Sequence, residues 1–209
     1  MTKPTLTDLL ARDEVLAGLC TKESLLAHGV RLFHRYGAAG TSVDKVLAAA
    51  GKSKSQFYSH FSNKDDFICS VLELEMTTML RVGSRYKVLT VNDVAKWFLP
   101  YIELASLPEN LGCPVGPLAS ELGPSNERVR KMATVQFERW QDYIVEMFTR
   151  LAAKERFPAE FDARNIGCNL AYSIQGAFLF CRVFQSSHPI EAVRDNILEQ
   201  LRQWQQRAL

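Results

Sequence analysis

Apolar residues in this chain recur every three or four positions, and no run alternates apolar with polar residues for long enough to make a strand. Within 125–156 the series Val129, Ala133, Phe137, Trp140, Ile144, Met147 and Leu151 keeps that spacing throughout. A period near 3.6 gathers such residues on one helix face. The expected fold class is therefore all-α. Hydrophobic residues are 47% of the 209, enough to bury a core in one large domain, or in a small domain joined to a larger one.

Capping residues and glycines divide this helical chain. Residues 5–19 read as a short helix with Thr5 as its cap. The next helix begins at Thr21, buries Leu26, Val30 and Phe33, and stops near Gly37. Ser42 caps a short helix carrying Val46 and Leu47, and Gly51 ends it. Ser53 caps another, with Gln56 completing a capping box and Phe57 and Phe61 on its inner face. A long helix follows Ser62 or Asn63, with Asp65 and Asp66 in its first turn. Further helices are expected over 92–107, 125–156, 162–185 and 189–207, with 112–117 a loop or helix start by its glycine and proline content. The helix over 162–185 is apolar on more than one side, which implies two packing neighbours.

Two short helices joined through a glycine, the second polar and basic outside, make a helix-turn-helix, here over 42–61. Such a second helix fits a major groove about 12 Å wide if its first turns present hydrogen-bonding groups to the bases. Lys54, Ser55, Gln56, Tyr58, Ser59 and His60 are left to face outward once Phe57 and Phe61 are anchored. The charge distribution agrees. Between His28 and Lys64 six cations stand against one acid, Asp44, a net +5 that leaves −3 for the rest of a chain totalling +2. That is the footprint of a polyanion-binding face, or else an ordinary solvated basic surface.

The run from Phe33 to Lys64 resembles the N-terminal DNA-binding domain of the tetracycline-repressor (TetR) family. The resemblance rests on Phe33-His34-Arg35-Tyr36-Gly37, Thr41-Ser42-Val43, Ala49-Ala50-Gly51 and Phe57-Tyr58-Ser59-His60-Phe61-Ser62-Asn63-Lys64. It implies a three-helix DNA-binding domain over 1–66 and a helical ligand-sensing and dimerisation domain over 67–209. By position, Thr41 and Ser42 would anchor phosphates, and Tyr58, His60 and Lys64 would hold the backbone. Lys54, Ser55 and Gln56 would read bases, or touch only phosphate and water. Lys52 departs from the family's small apolar residue after the turn glycine; a lysine there is expected to point outward and add a phosphate contact.

The resemblance extends more weakly into the body. Gly112-Cys113-Pro114-Val115-Gly116-Pro117-Leu118-Ala119-Ser120-Glu121-Leu122 is similar to a segment of one branch of the family, and Gln175-Gly176-Ala177-Phe178 to its dimerisation helix. The implied dimer interface takes in the small residues Cys168, Ala171, Gly176 and Ala177, with Ile197 and Leu201 on the last helix. Cys113 is a candidate sensor if it opens a helix, where the positive end stabilises a thiolate, and otherwise a compact apolar residue packed away. The expected partners are palindromic double-stranded DNA, a second copy of the chain and a small-molecule effector, with no membrane.

Other classes find little support. Cys20, Cys69, Cys113, Cys168 and Cys181 are odd in number and include no CxxC pair, against a disulfide framework or zinc site. Acids stand where a signal peptide needs an apolar run, and Arg182 interrupts the most apolar stretch, so a cytoplasmic protein is expected. No Gly-x-Ser-x-Gly, His-Glu-x-x-His or phosphate-cradling loop occurs, and neither a metal nor a cofactor is expected. A helical enzyme, or an adaptor without DNA binding, are the competing classes.

Overall fold

The computed structural model describes residues 19–107, 113 and 115–207. The expected helix over 5–19 thus lies outside the described residues, apart from Leu19, which is not helical. Among the described residues every regular element is helix, and the fold is all-α. They group into two compact units: those within Met1–Met79 and Pro114–Gln136, and those within Leu80–Cys113 and Phe137–Leu209. The boundary read at 66/67 therefore differs from the division seen, in which the first unit keeps more of the long fourth helix and recruits a downstream segment.

The first unit opens with α1 (Thr21–Tyr36), α2 (Val43–Ala50), α3 (Lys54–Tyr58) and α4 (Lys64–Gly83), of which α4 runs on past Met79. It also holds α7 (Gly116–Leu122) and the start of α8 (Glu127–Glu155). Phe33, Phe57, Phe61 and Phe67 form its aromatic centre, each at most 3% exposed. Phe57 lies 5.1 Å from Phe61 and 5.3 Å from Phe67, ring centre to ring centre. Gly29 leaves room for Phe67, since a Cβ there would run into its ring. Arg128 of α8 donates to Asp66 at the start of α4, at 2.7 Å. The Ser62 N–H also donates to Asp66 and, with that arginine, holds its carboxyl below the ordinary range.

A buried polar pair ties α1 to α4: His34 Nε2 and Glu75 Oε1 share a hydrogen bond of 2.9 Å with both side chains out of water. Among the described residues, Glu75 Oε2 has no partner. Burial pushes the Glu75 carboxyl up, and the bond to His34 only partly opposes this. A carboxyl that holds its proton more tightly when folded favours folding fully below its unfolded pKa, an advantage lost as pH rises through the raised value. Glu75→Gln cannot ionise. Chemical denaturation across pH should therefore show its stability rising relative to the natural protein as pH climbs from the ordinary value of 4.5.

The second unit contains α5 (Val91–Trp97), α6 (Leu99–Ala105), the rest of α8, α9 (Ala163–Phe184) and α10 (His188–Arg207). One helix was expected over 92–107, yet the chain breaks at Phe98. Pro100 explains the break, because it lacks an N–H and its ring clashes with the carbonyl four residues back. Trp97, Tyr101, Trp140 and Phe178 pack in the core, with Trp140 Nε1 donating to Tyr101 Oη at 3.2 Å. Burial pushes the Tyr101 phenol pKa up. No helix among the described residues is long and apolar enough to cross a membrane.

Candidate nucleic-acid interface

Local chemistry builds α2 and α3 as a rigid pair. Ser42 caps α2 by accepting from Lys45 N at 3.2 Å. Gly51 ends it at φ 62°, ψ 36°, a left-handed conformation that costs a side-chain-bearing residue energy. No atom lies within 4 Å of where its Cβ would be, so conformation rather than space demands glycine here. Ser53 Oγ accepts from Gln56 N at 3.2 Å, while Gln56 Oε1 accepts from Ser53 N at 2.9 Å. The reciprocal box fixes where the five-residue α3 begins.

Phe57 turns inward from α3, and the residues around it turn outward. Lys54, Ser55, Gln56, Tyr58, Ser59 and His60 are all exposed, while Lys52 and Lys64 are half-buried. Tyr58 rests edge-on against Phe57 with 56% of its surface open. The helix is shorter than the expected run to Phe61, so Ser59 and His60 sit in the turn that follows. Lys54 Nζ lies 3.1 Å from Asp44 Oδ1 of α2. Gln56 has its carbonyl oxygen committed to the cap, which leaves its amide N–H groups as donors.

Thr41 corrects an expectation. It is 1% exposed, and its hydroxyl donates to Leu32 O at 3.1 Å, so it is a structural staple and not a phosphate anchor. Ser42 beside it is exposed.

The turn joining α1 to α2 is held by residues far away in sequence. The Glu121 carboxylate on α7 accepts from Ala38 N at 2.8 Å and Ala39 N at 2.6 Å. Lys64 Nζ donates to Ala38 O at 2.8 Å, keeping two of its three N–H groups for other acceptors. Gly37 has φ 67°, and a Cβ there would meet Glu121 Oε2 at 2.8 Å. Glu121→Ala leaves two backbone donors without their acceptor and should destabilise this unit by about 1–2 kcal/mol. Lys64→Ala should cost about 1 kcal/mol, because water can replace its single bond. Thermal melts of the two variants would order them this way.

Two family models match the chain. One is described as bacterial regulatory proteins, tetR family, and takes in residues 25–70. The other is the transcriptional regulator LmrA/YxaF-like C-terminal domain, over residues 103–196. The chain belongs to the TetR family of transcriptional regulators. Among TetR-family relatives, it is 27% identical to an uncharacterized HTH-type transcriptional regulator in the lacX 3' region of Lactococcus lactis subsp. lactis, over 82% of this chain and 88% of that one. It is 26% identical to the HTH-type transcriptional repressor DhaR of Mycobacterium sp. (strain GP1), over 86% and 91%. In fold it is similar to regulatory protein TetR from Rhodobacter sphaeroides, with TM-score 0.77 and 22% identity, covering 86% of this chain and 97% of that one.

The body of this TetR-family chain departs from two expectations. Ala171, Ala177, Ile197 and Leu201 are at most 6% exposed within a single chain, so they belong to its own core and not to an outer face. Cys168 is half-buried and Gly176 exposed. The open side of α9 instead carries Tyr172, Leu179, Phe180, Val183 and Phe184, all more than half exposed. Cys113 is 7% exposed, and α7 begins only at Gly116 with Val115 as its cap. Cys113 therefore does not open a helix.

Proposed function

We propose that this TetR-family regulator is a homodimeric repressor that holds a palindromic operator through α3 and is released by a small molecule bound in its second unit. The observation that carries the reading is α3 itself, a helix anchored by one buried phenylalanine with its polar side chains exposed around it. Lys54, Ser55 and Gln56 form the base-reading face; Ser42, Lys52, Tyr58, His60 and Lys64 position the helix on phosphates. The exposed apolar side of α9 supplies the dimer surface, because such a stripe is costly to leave in water. Two copies related by a twofold axis read two half-sites of a palindrome.

Release follows from differential binding. An effector that prefers a conformation unfit for the operator shifts the population away from DNA, by no more than its preference between the two states. Linkage makes this testable without knowing the effector beforehand. A compound from a small-molecule library that raises the melting temperature should weaken DNA binding, and DNA should weaken the compound's binding by the same factor. If every stabilising compound leaves DNA affinity unchanged, effector release is wrong.

A further inference from the structure

The basic segment from His28 to Lys64 contains one acid, Asp44, and the fold places that acid beside the first residue of α3. Its Oδ1 is 3.1 Å from Lys54 Nζ, and the two side chains are 71% and 69% exposed. An ion pair so open to water adds little to stability. The cap of α2 is already provided by Ser42. On a face that must meet a polyanion, an exposed carboxylate opposes binding at every sequence alike. What the pair does provide is a juxtaposition: an acceptor oxygen stands beside the Lys54 ammonium at the start of α3.

A donor beside an acceptor complements one kind of base pair edge. In the major groove guanine offers the O6 and N7 acceptors, and its cytosine partner offers the N4 amino donor. The geometry points to Asp44 and Lys54 as a joint reading pair for a G·C base pair in each half-site. Lys54 donates to guanine, and the second carboxylate oxygen of Asp44 accepts from cytosine N4. Asp44 is thus a specificity residue that lowers affinity for all other DNA. This inference rests on α3 being the base-reading helix.

The test is selection from a randomised duplex library by the natural protein and by Asp44→Asn and Asp44→Ala, together with titration of a random-sequence duplex over a salt series. The natural protein should select a G·C pair at one position of each half-site. Both variants should lose about ten- to hundredfold in preference at that position alone. They should also bind random duplex more tightly, with a salt dependence steeper by about one unit, because Lys54 is released to a phosphate. Thermal melts should show both variants folded. Unchanged preference at every position in the variants would overturn the reading pair while leaving α3 as the reading helix. Weaker binding to every sequence alike, with a lowered melting temperature, would also overturn it and make Asp44 structural. If the natural protein selects no sequence at all, the base-reading role of α3 falls, and this inference with it.

Discussion

Phe57→Ala is expected to remove about 3–5 kcal/mol from the stability of the first unit, because a large side chain buried on every side leaves a cavity its neighbours cannot fill. Phe57 is 0% exposed and packs against Tyr58, Phe61 and Phe67. Helix α3 has only five residues and cannot stand alone, since isolated helices that short are unstable in water. Its position therefore depends on this one anchor, and DNA binding should go with it. Phe57→Leu keeps most of the volume and should cost less than Phe57→Ala, with a corresponding recovery of DNA affinity. Denaturant titrations beside DNA titrations would show whether the two losses track one another. Normal DNA binding by a folded Phe57→Ala protein would mean that α3 is not the element positioned on DNA.

Leu179→Asp is expected to turn the dimer into monomers. Leu179 is 63% exposed in one chain, on the stripe with Tyr172, Phe180, Val183 and Phe184. In the proposed dimer a charge there is buried without a partner, and twofold symmetry imposes it twice. Each such charge costs several kcal/mol, so dimerisation should weaken by at least about two orders of magnitude. Within the subunit the substitution meets water, so helical content and melting of the monomer should change little. Gly176→Leu is a second probe, since nothing lies within 4 Å of the Cβ position in its own chain. Any loss it causes comes from the partner. Sedimentation at several concentrations distinguishes the outcomes, and a tight Leu179→Asp dimer would place the interface off this side of α9.

Much of the first unit is legible because its signals are local. Ser42, Gly51 and Ser53 act within three or four residues of themselves, and Phe57 faces inward from α3 while Phe61 is buried just beyond its end. The break at Phe98 is equally local, yet the apolar spacing over 92–107 masks what Pro100 does to the backbone. Contacts across long stretches of sequence are another matter. Nothing near Glu121 says that its carboxylate will hold Ala38 and Ala39, and nothing near Thr41 says that its hydroxyl will turn inward to Leu32. Asp44 stands out in the sequence as a lone acid, but its pairing with Lys54 depends on how α2 packs on α3.

The small residues of α9 divide between two sides: Ala171 and Ala177 are buried in their own subunit, while Gly176 is exposed on the open side. A Cβ on Gly167 would sit 3.0 Å from the Val145 side chain and 3.2 Å from its backbone. Apolar character on more than one side of this helix implies two packing neighbours; one side fills the core, and the other is open in the single chain.

The face carrying α3 should bind double-stranded DNA with sequence preference. Titrate the full chain into a duplex selected by it from genomic fragments, and into a scrambled duplex of the same length, across a salt series. Two chains should bind each palindromic site, and the selected duplex should be held at least about a thousandfold more tightly than the scrambled one. Affinity for both should fall steeply as salt rises. Equal, salt-insensitive binding to the two duplexes, or none by a folded dimer, would show that α3 does not read DNA.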